Sequence, residues 1–153
     1  MNGPEDTPLD WGAIDWRAQE ESVRRLRQRI FAASQAADLK KVRNLQKLML
    51  RSRSNTLVSV RRVTEINAGR KTAGIDGQVV LTASGKAELA HRVQHRNSPD
   101  RARPVKRVYI PKPGGRRRPL GIPVILDRVE QARVSQALEP EWEARFEPKS
   151  YPL

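Results

Sequence analysis

Between Gly69 and Gly77 the chain reads Gly-Arg-Lys-Thr-Ala-Gly-Ile-Asp-Gly, three glycines and an Asp-Gly pair in nine residues. Such a stretch demands special backbone angles rather than regular structure. It divides the 153 residues into two parts whose hydrophobic patterns differ, and no repeat of fixed period crosses it.

The part before the loop is patterned as helix. Val23, Leu26, Ile30, Ala33 and Ala37 recur at steps of three and four within 13–37, opposite Arg24, Arg25, Arg27 and Arg29, which predicts one amphipathic helix. Asp38 is placed to cap a second, carrying Leu39, Val42, Leu45 and Met49 until Ser52 to Asn55 break it. A third is expected from about Thr56, with Leu57, Val60 and Val63 inside and Gly69 as its C-terminal cap. Residues 1–12 read as a disordered lead-in.

After the loop, Thr82 or Ser84 can cap a short helix through Leu89 and Val93, ended by Asn97 to Asp100. His91 and His95 stand there four residues apart, but no H-E-x-x-H motif or third ligand accompanies them, so no metal is assigned. Val105 to Ile110 and Pro119 to Val124 read as strands around a Pro-Lys-Pro-Gly-Gly turn, which predicts a hairpin. From Ile125 the helical pattern returns with Val129 and Ala132, until Pro140 interrupts it. Trp142 and Phe146, four apart, are then expected as core contacts.

The fold class expected is therefore α+β. A mostly helical region over 13–100, containing the loop 69–77, precedes a hairpin and further helix over 101–153.

Charge points to a partner. The formal net charge is +13, and the first 22 residues carry six acids against Arg17, which leaves +18 for the remainder. That is more than solubility requires, and it predicts a polyanion, nucleic acid first. There are no cysteines, so disulfides, thiolate catalysis and cysteine-ligated zinc are excluded. No apolar run approaches the roughly 18 residues of a membrane span, so a cytoplasmic protein with no membrane partner is expected.

The densest cation cluster is 101–118, with Arg101, Arg103, Lys106, Arg107, Lys112, Arg116, Arg117 and Arg118 and no acid. On a hairpin these would project beside a Gly-Gly turn whose N–H groups also accept phosphate. Cations that merely blunt a strand edge rarely number eight.

Here the residues resemble a known family. Arg107-Val108-Tyr109-Ile110-Pro111-Lys112-Pro113-Gly114-Gly115, then Arg118-Pro119-Leu120-Gly121-Ile122-Pro123, Asp127-Arg128 and Gln131 closely resemble the first fingers block of group II intron reverse transcriptase/maturases. Arg61-Arg62-Val63-Thr64, Asn67 and Thr72 to Gly77 look like the preceding block, although Ala68 stands where that family often has a lysine. The resemblance implies that Lys112 and Arg118 contact an incoming nucleotide triphosphate. It also implies that Arg61, Arg62, Arg70, Lys71, Thr72 and Gly74, with Lys106, Arg107, Arg116 and Arg117, lie along RNA or template. RNA, group II intron RNA above all, is the implied partner, and DNA comes second.

The family's polymerase chemistry uses divalent metals on clustered palm aspartates. After the hairpin the acids are Asp127, Glu130, Glu139, Glu141, Glu143 and Glu147, with no aromatic-x-Asp-Asp sequence, and Asp127 reads as a helix-start residue. No catalytic residue, metal or cofactor is therefore assigned to this chain, magnesium belonging to the full-length family. Where the family continues Ser-Tyr with Gly-Phe-Arg, this chain has Ser150-Tyr151-Pro152-Leu153, which looks like a truncated copy that stops before the palm. The expectation is a catalytically incomplete RNA-binding piece. Its alternatives are a stand-alone splicing-assistance module and an inert remnant, the latter with apolar surface left bare on the helices of Val129 and Trp142.

Overall fold

The computed structural model describes residues 9–95 and 102–146. Helices dominate, and their starts follow the capping residues of the sequence. Helix α1 (Trp16–Gln35) is capped by Asp15, α2 (Leu39–Arg51) by Asp38, α3 (Arg53–Arg61) by Ser52 and α4 (Ala83–Gln94) by Thr82. In each case the side-chain oxygen takes a backbone N–H that the first turn leaves unpaired. Strands β1 (Lys106–Pro111) and β2 (Arg117–Ile122) form a two-stranded antiparallel hairpin, and α5 (Ile125–Phe146) closes the described chain. Among the described residues no helix is long and apolar enough to cross a membrane.

The expected stripes are largely those that pack. Val23, Ile30 and Ala33 of α1 meet Val42, Leu45 and Met49 of α2 in one buried cluster, which Val58 and Ala137 complete. A second cluster joins Leu57, Val60 and Val63 to Leu89 and Val93 of α4 and to Val129 of α5. Helices α3 and α5 contribute to both clusters, so the two form one continuous body. Leu39, counted in the stripe of α2, is instead half exposed at that helix's first position.

Several expectations need correction. Trp11 and Gly12, assigned to the lead-in, belong to a 3-10 turn (Trp11–Ala13) in which Trp11 is buried. The break expected over Ser52 to Asn55 is one residue long. Ser52 ends α2 and caps α3, while Asn55 is fully buried within α3. Its amide donates to the carbonyls of Met49 and Arg133 and accepts from the Ser59 hydroxyl, so a polar breaker is satisfied inside the core.

Gly69 is not a helix cap. After α3 the chain widens into a π-helical turn (Arg62–Ile66) ended at Asn67, and Gly69 lies in the 3-10 turn that follows (Ala68–Lys71). The helical end expected at Asn97 to Asp100 falls outside the described residues, and α4 stops at Gln94.

Helix α5 also runs through Pro140. Proline removes one helical hydrogen bond, here the one that would reach the Gln136 carbonyl, and crowds the preceding turn, yet the helix continues, packed against α1 and α2. Gln46 donates to the Ala137 carbonyl and Ser34 to that of Glu141, and Pro140 itself is buried. Trp142 and Phe146, expected in the core, are 65% and 62% exposed and lie against each other with ring centroids 4.5 Å apart and planes tilted by 42°. Val129, on the same helix, is fully buried.

The π-helical turn has a structural use at Glu65. Its Oε1 accepts from the Trp11 indole at 2.7 Å and from the Lys86 ammonium at 3.0 Å, and Arg61 approaches the other oxygen at 3.6 Å. Burial pushes the Glu65 carboxyl up, but the bonds from Trp11 and Lys86 and the charges of Lys86 and Arg61 hold it, on balance, below the ordinary carboxylate range. A lowered folded-state pKa means that this stabilisation is fully present above the ordinary range and is lost as pH falls through the folded value. Glu65→Ala is expected to cost about 1–3 kcal/mol, because the indole N–H and a Lys86 side chain only 13% exposed lose their acceptor. Melting curves at neutral and acidic pH check this: the gap between variant and wild type should narrow in acid, and a gap absent at neutral pH would refute it.

Candidate nucleic-acid interface

The hairpin is paired from Lys106 opposite Ile122 to Pro111 opposite Arg117. At its tip the Lys112 N–H donates to the Arg116 carbonyl at 2.7 Å, and Gly114 and Gly115 turn the chain at φ +89° and +76°. Both angles lie in the left-handed region that glycine adopts without steric cost. The second strand begins and ends two residues earlier than Pro119 to Val124 would suggest, because Arg117 and Arg118 are already in β2, while the first is shifted one residue later than Val105 to Ile110.

Register sorts the cations by face, since cross-strand partners share a side and neighbours along a strand alternate. Arg118, opposite Ile110, and Lys106, opposite Ile122, share one face. One further step of the same register brings Lys112 and Arg116 to that side. Arg107 and Arg117 lie on the other face together with Tyr109, which is 58% exposed and opposite Pro119. The expected triphosphate pair, Lys112 and Arg118, is thus brought together, while the four expected hairpin contacts to RNA divide between the faces. All six cations are exposed, and among the described residues none of them makes an ion pair.

The glycine loop is placed differently residue by residue. Arg61 is turned inward: its guanidinium lies 4.8 Å from the centre of the Trp16 ring and within 4 Å of Glu20 and Glu65. Arg62 and Lys71 are exposed, and Arg70, partly buried, donates weakly to the Asn67 carbonyl at 3.4 Å. Thr72 is exposed. Gly74 is buried, and an added Cβ would lie 2.7 Å from the Pro123 carbonyl oxygen and from the Val124 nitrogen. Its lack of a side chain therefore serves close approach of two backbones. Of the loop's glycines only Gly77 needs a left-handed angle, at φ +70°.

Sequence reasoning missed two features. Arg128 bonds three carbonyls at once, those of Pro123 at 2.9 Å, Gly69 at 3.0 Å and Thr72 at 2.5 Å. Burial draws its pKa down against the opposing charge of Asp76. The outer side of α2 carries Lys40, Lys41, Arg43, Lys47 and Arg51, all exposed and, among the described residues, without ion pairs. That signal was available, because no acid occurs between Leu39 and Thr64. Elsewhere Arg24 and Arg25 are held by Glu21, Arg27 by Glu139, Arg133 by Glu130 and Arg145 by Glu141, while Arg17, Arg29, Arg53 and Arg92 are scattered, exposed and, among the described residues, without ion pairs.

The described carboxylates do not suit a divalent-metal centre. Asp76 faces Arg103 at 3.9 Å, and Asp127 accepts the Arg103 backbone N–H at 2.7 Å. No group of three His, Asp or Glu among the described residues could hold a metal ion. His91 and His95 stack 4.1 Å apart, with the His95 Nδ1 bonded to the His91 carbonyl.

Residues 11–93 match the family described as the N-terminal domain of reverse transcriptase. Protein YkfC of Escherichia coli is 37% identical over 107 residues, 68% of this chain and 28% of that protein. Maturase-like protein 1 of Euglena gracilis is 28% identical over 135 residues, covering 86% of this chain and 30% of the relative. Its counterpart in Euglena longa is 27% identical over 135 residues, 88% and 30% respectively. The chain thus spans less than a third of these relatives' lengths. It belongs to the family of reverse transcriptase N-terminal domains, and its maturase-like relatives identify it with the N-terminal region of a group II intron reverse transcriptase/maturase.

Proposed function

We propose that this region binds RNA through its phosphates, with group II intron RNA as the preferred partner and DNA a weaker one, and that it holds no polymerase chemistry of its own. The supporting observation is where unpaired cations collect. They are absent from most of the helix–helix seams, where arginines are matched to carboxylates, and they gather on the hairpin and on the outer side of α2. Cations held apart from internal carboxylates remain available to displace counterions from a nucleic acid. The shared face of Lys112 and Arg118 also suits a triphosphate, as the resemblance implies, while Arg62, Arg70, Lys71 and Thr72 would lie along the strand. Gly74 would act from beneath, by letting the loop sit close. A cytoplasmic setting belongs to the same proposal.

Few aromatic side chains are placed to stack on bases, Tyr109 being the one on the hairpin, so affinity should be dominated by phosphate contacts. The test is fluorescence anisotropy across a salt series with a structured group II intron fragment, an unrelated RNA and duplex DNA. Tight, salt-sensitive binding that prefers the intron is expected. Equal weak binding to all three would reject the maturase-type reading and leave a generally basic surface.

A further inference from the structure

We propose that Arg128 is a positioning residue that ties the glycine loop to the root of the hairpin, so that cations from both elements meet one nucleic-acid strand as a single rigid surface. The inference rests on the RNA-binding reading above and deepens it.

Arg128 stands in the first turns of α5, just after the hairpin exits at Ile122. Its Nε bonds the Pro123 carbonyl on the hairpin side, and its two terminal nitrogens bond the carbonyls of Gly69 and Thr72 on the loop side. Those two loop carbonyls bracket Arg70 and Lys71, so the grip fixes the backbone that carries both cations. The planar guanidinium spreads its donors over three nitrogens, and so reaches three acceptors set well apart. A lysine ammonium at the end of a flexible stem would satisfy one or two of them, without fixing their relative placement.

Little else holds the loop. No residue of 67–79 belongs to either buried cluster or packs against one, and Ile75, Val79 and Leu81 are exposed. Where it leaves the π-helical turn, the Asn67 N–H bonds the Arg62 carbonyl; among the described residues its ties to distant parts of the chain, apart from Arg128, are the contact of Gly74 with Pro123 and Val124 and the approach of Arg103 to Asp76. The Arg103 backbone is in turn held by Asp127, the residue before Arg128. Every one of these distant ties runs to the hairpin root or to the start of α5. A loop needed only to connect α3 to α4 would not require all its anchors at the base of the hairpin.

The test uses the full chain with Arg128→Lys, which keeps the charge, and with Arg70→Ala/Lys71→Ala in both backgrounds. In the wild type, removing Arg70 and Lys71 should lower the salt slope of RNA binding by about 1.5, two phosphates at roughly 0.7–0.9 each. Arg128→Lys alone should produce most of that loss although no charge is removed. Adding the loop substitutions to it should then cost little more, and hydrogen exchange at the Arg70, Thr72 and Gly77 amides should accelerate while that of the α3 amides does not. Wild-type slope in Arg128→Lys, with the loop substitutions still costing their full amount, would overturn the proposal. If the wild type binds no RNA, the functional reading fails by itself. Exchange then decides the tie, unchanged loop protection in Arg128→Lys refuting it and accelerated exchange upholding it.

Discussion

Gly74→Ala is expected to lower the melting temperature by several degrees and to expose the amides of the 69–77 loop. The backbone angle at Gly74 is not left-handed, so alanine can adopt it, and restricting the unfolded chain would by itself stabilise by about 0.4–1 kcal/mol. Against this, the new Cβ meets three backbone atoms of Pro123 and Val124 at 2.7–2.8 Å, and backbone cannot rotate aside as a flexible side chain can. Over-packing of this kind costs about 1–3 kcal/mol. The contact therefore outweighs the entropy gain, and for a chain of this size each kcal/mol lowers the midpoint by roughly 2–4 °C. The helical body should persist, because Gly74 belongs to neither buried cluster. Differential scanning calorimetry with hydrogen exchange checks the result. An unchanged midpoint with unchanged loop protection would mean that the Pro123–Val124 segment moves freely, and the close approach would then have no part in holding the loop.

What could be read from the sequence was what local patterns encode. The stripe of Val42, Leu45 and Met49 repeats at the period of a helix, and Asp38 and Thr82 precede apolar runs by the capping distance, so these elements follow from neighbours alone. What escaped depends on partners distant in the chain. Asn55 belongs in a helix because one acceptor of its amide, the Arg133 carbonyl, lies 78 residues away, and Pro140 sits buried inside α5, on the side packed against helices far upstream. Arg61 resembles its neighbour Arg62 in the sequence, yet Trp16 and Glu65 draw one inward and leave the other out. Phe31 is buried although it stands off the expected stripe.

The candidate site divides the same way. The cation cluster and the Gly-Gly turn are local, and register then follows from the antiparallel pairing, so Lys112 and Arg118 could be paired on paper. The role of Arg128 could not, because two of its three acceptors are more than fifty residues upstream. Gly74 was marked by its residue type, but its use is an approach to Pro123 that no spacing rule predicts. Trp142 and Phe146 show the opposite limit. Their spacing suited a core, and the two rings satisfy it by lying tilted against each other at the surface.

Replacing Lys112, Arg116, Arg117 and Arg118 together by glutamine is expected to produce the largest change in RNA binding. Each phosphate contact contributes roughly 0.7–0.9 to the salt slope, so the three that share a face would reduce it by about 2.4 and all four by about 3. Between 50 and 200 mM salt, the wild type should lose roughly 30- to 60-fold more affinity than the variant. The fold should survive, since no hairpin residue is in a buried cluster and Gly114 and Gly115 are left in place to form the turn. The register makes the prediction sharper. If a strand lies on the face of Lys112, Arg116 and Arg118, neutralising Lys106 with those three should account for nearly all of the change, and neutralising Arg107 and Arg117 should alter little. The reverse split would put the strand on the Tyr109 face, and Tyr109→Ala should then cost a further stacking contribution of about 1–3 kcal/mol. An unchanged slope in the fourfold variant would remove the hairpin from the interface and leave the outer side of α2 as the surface that binds.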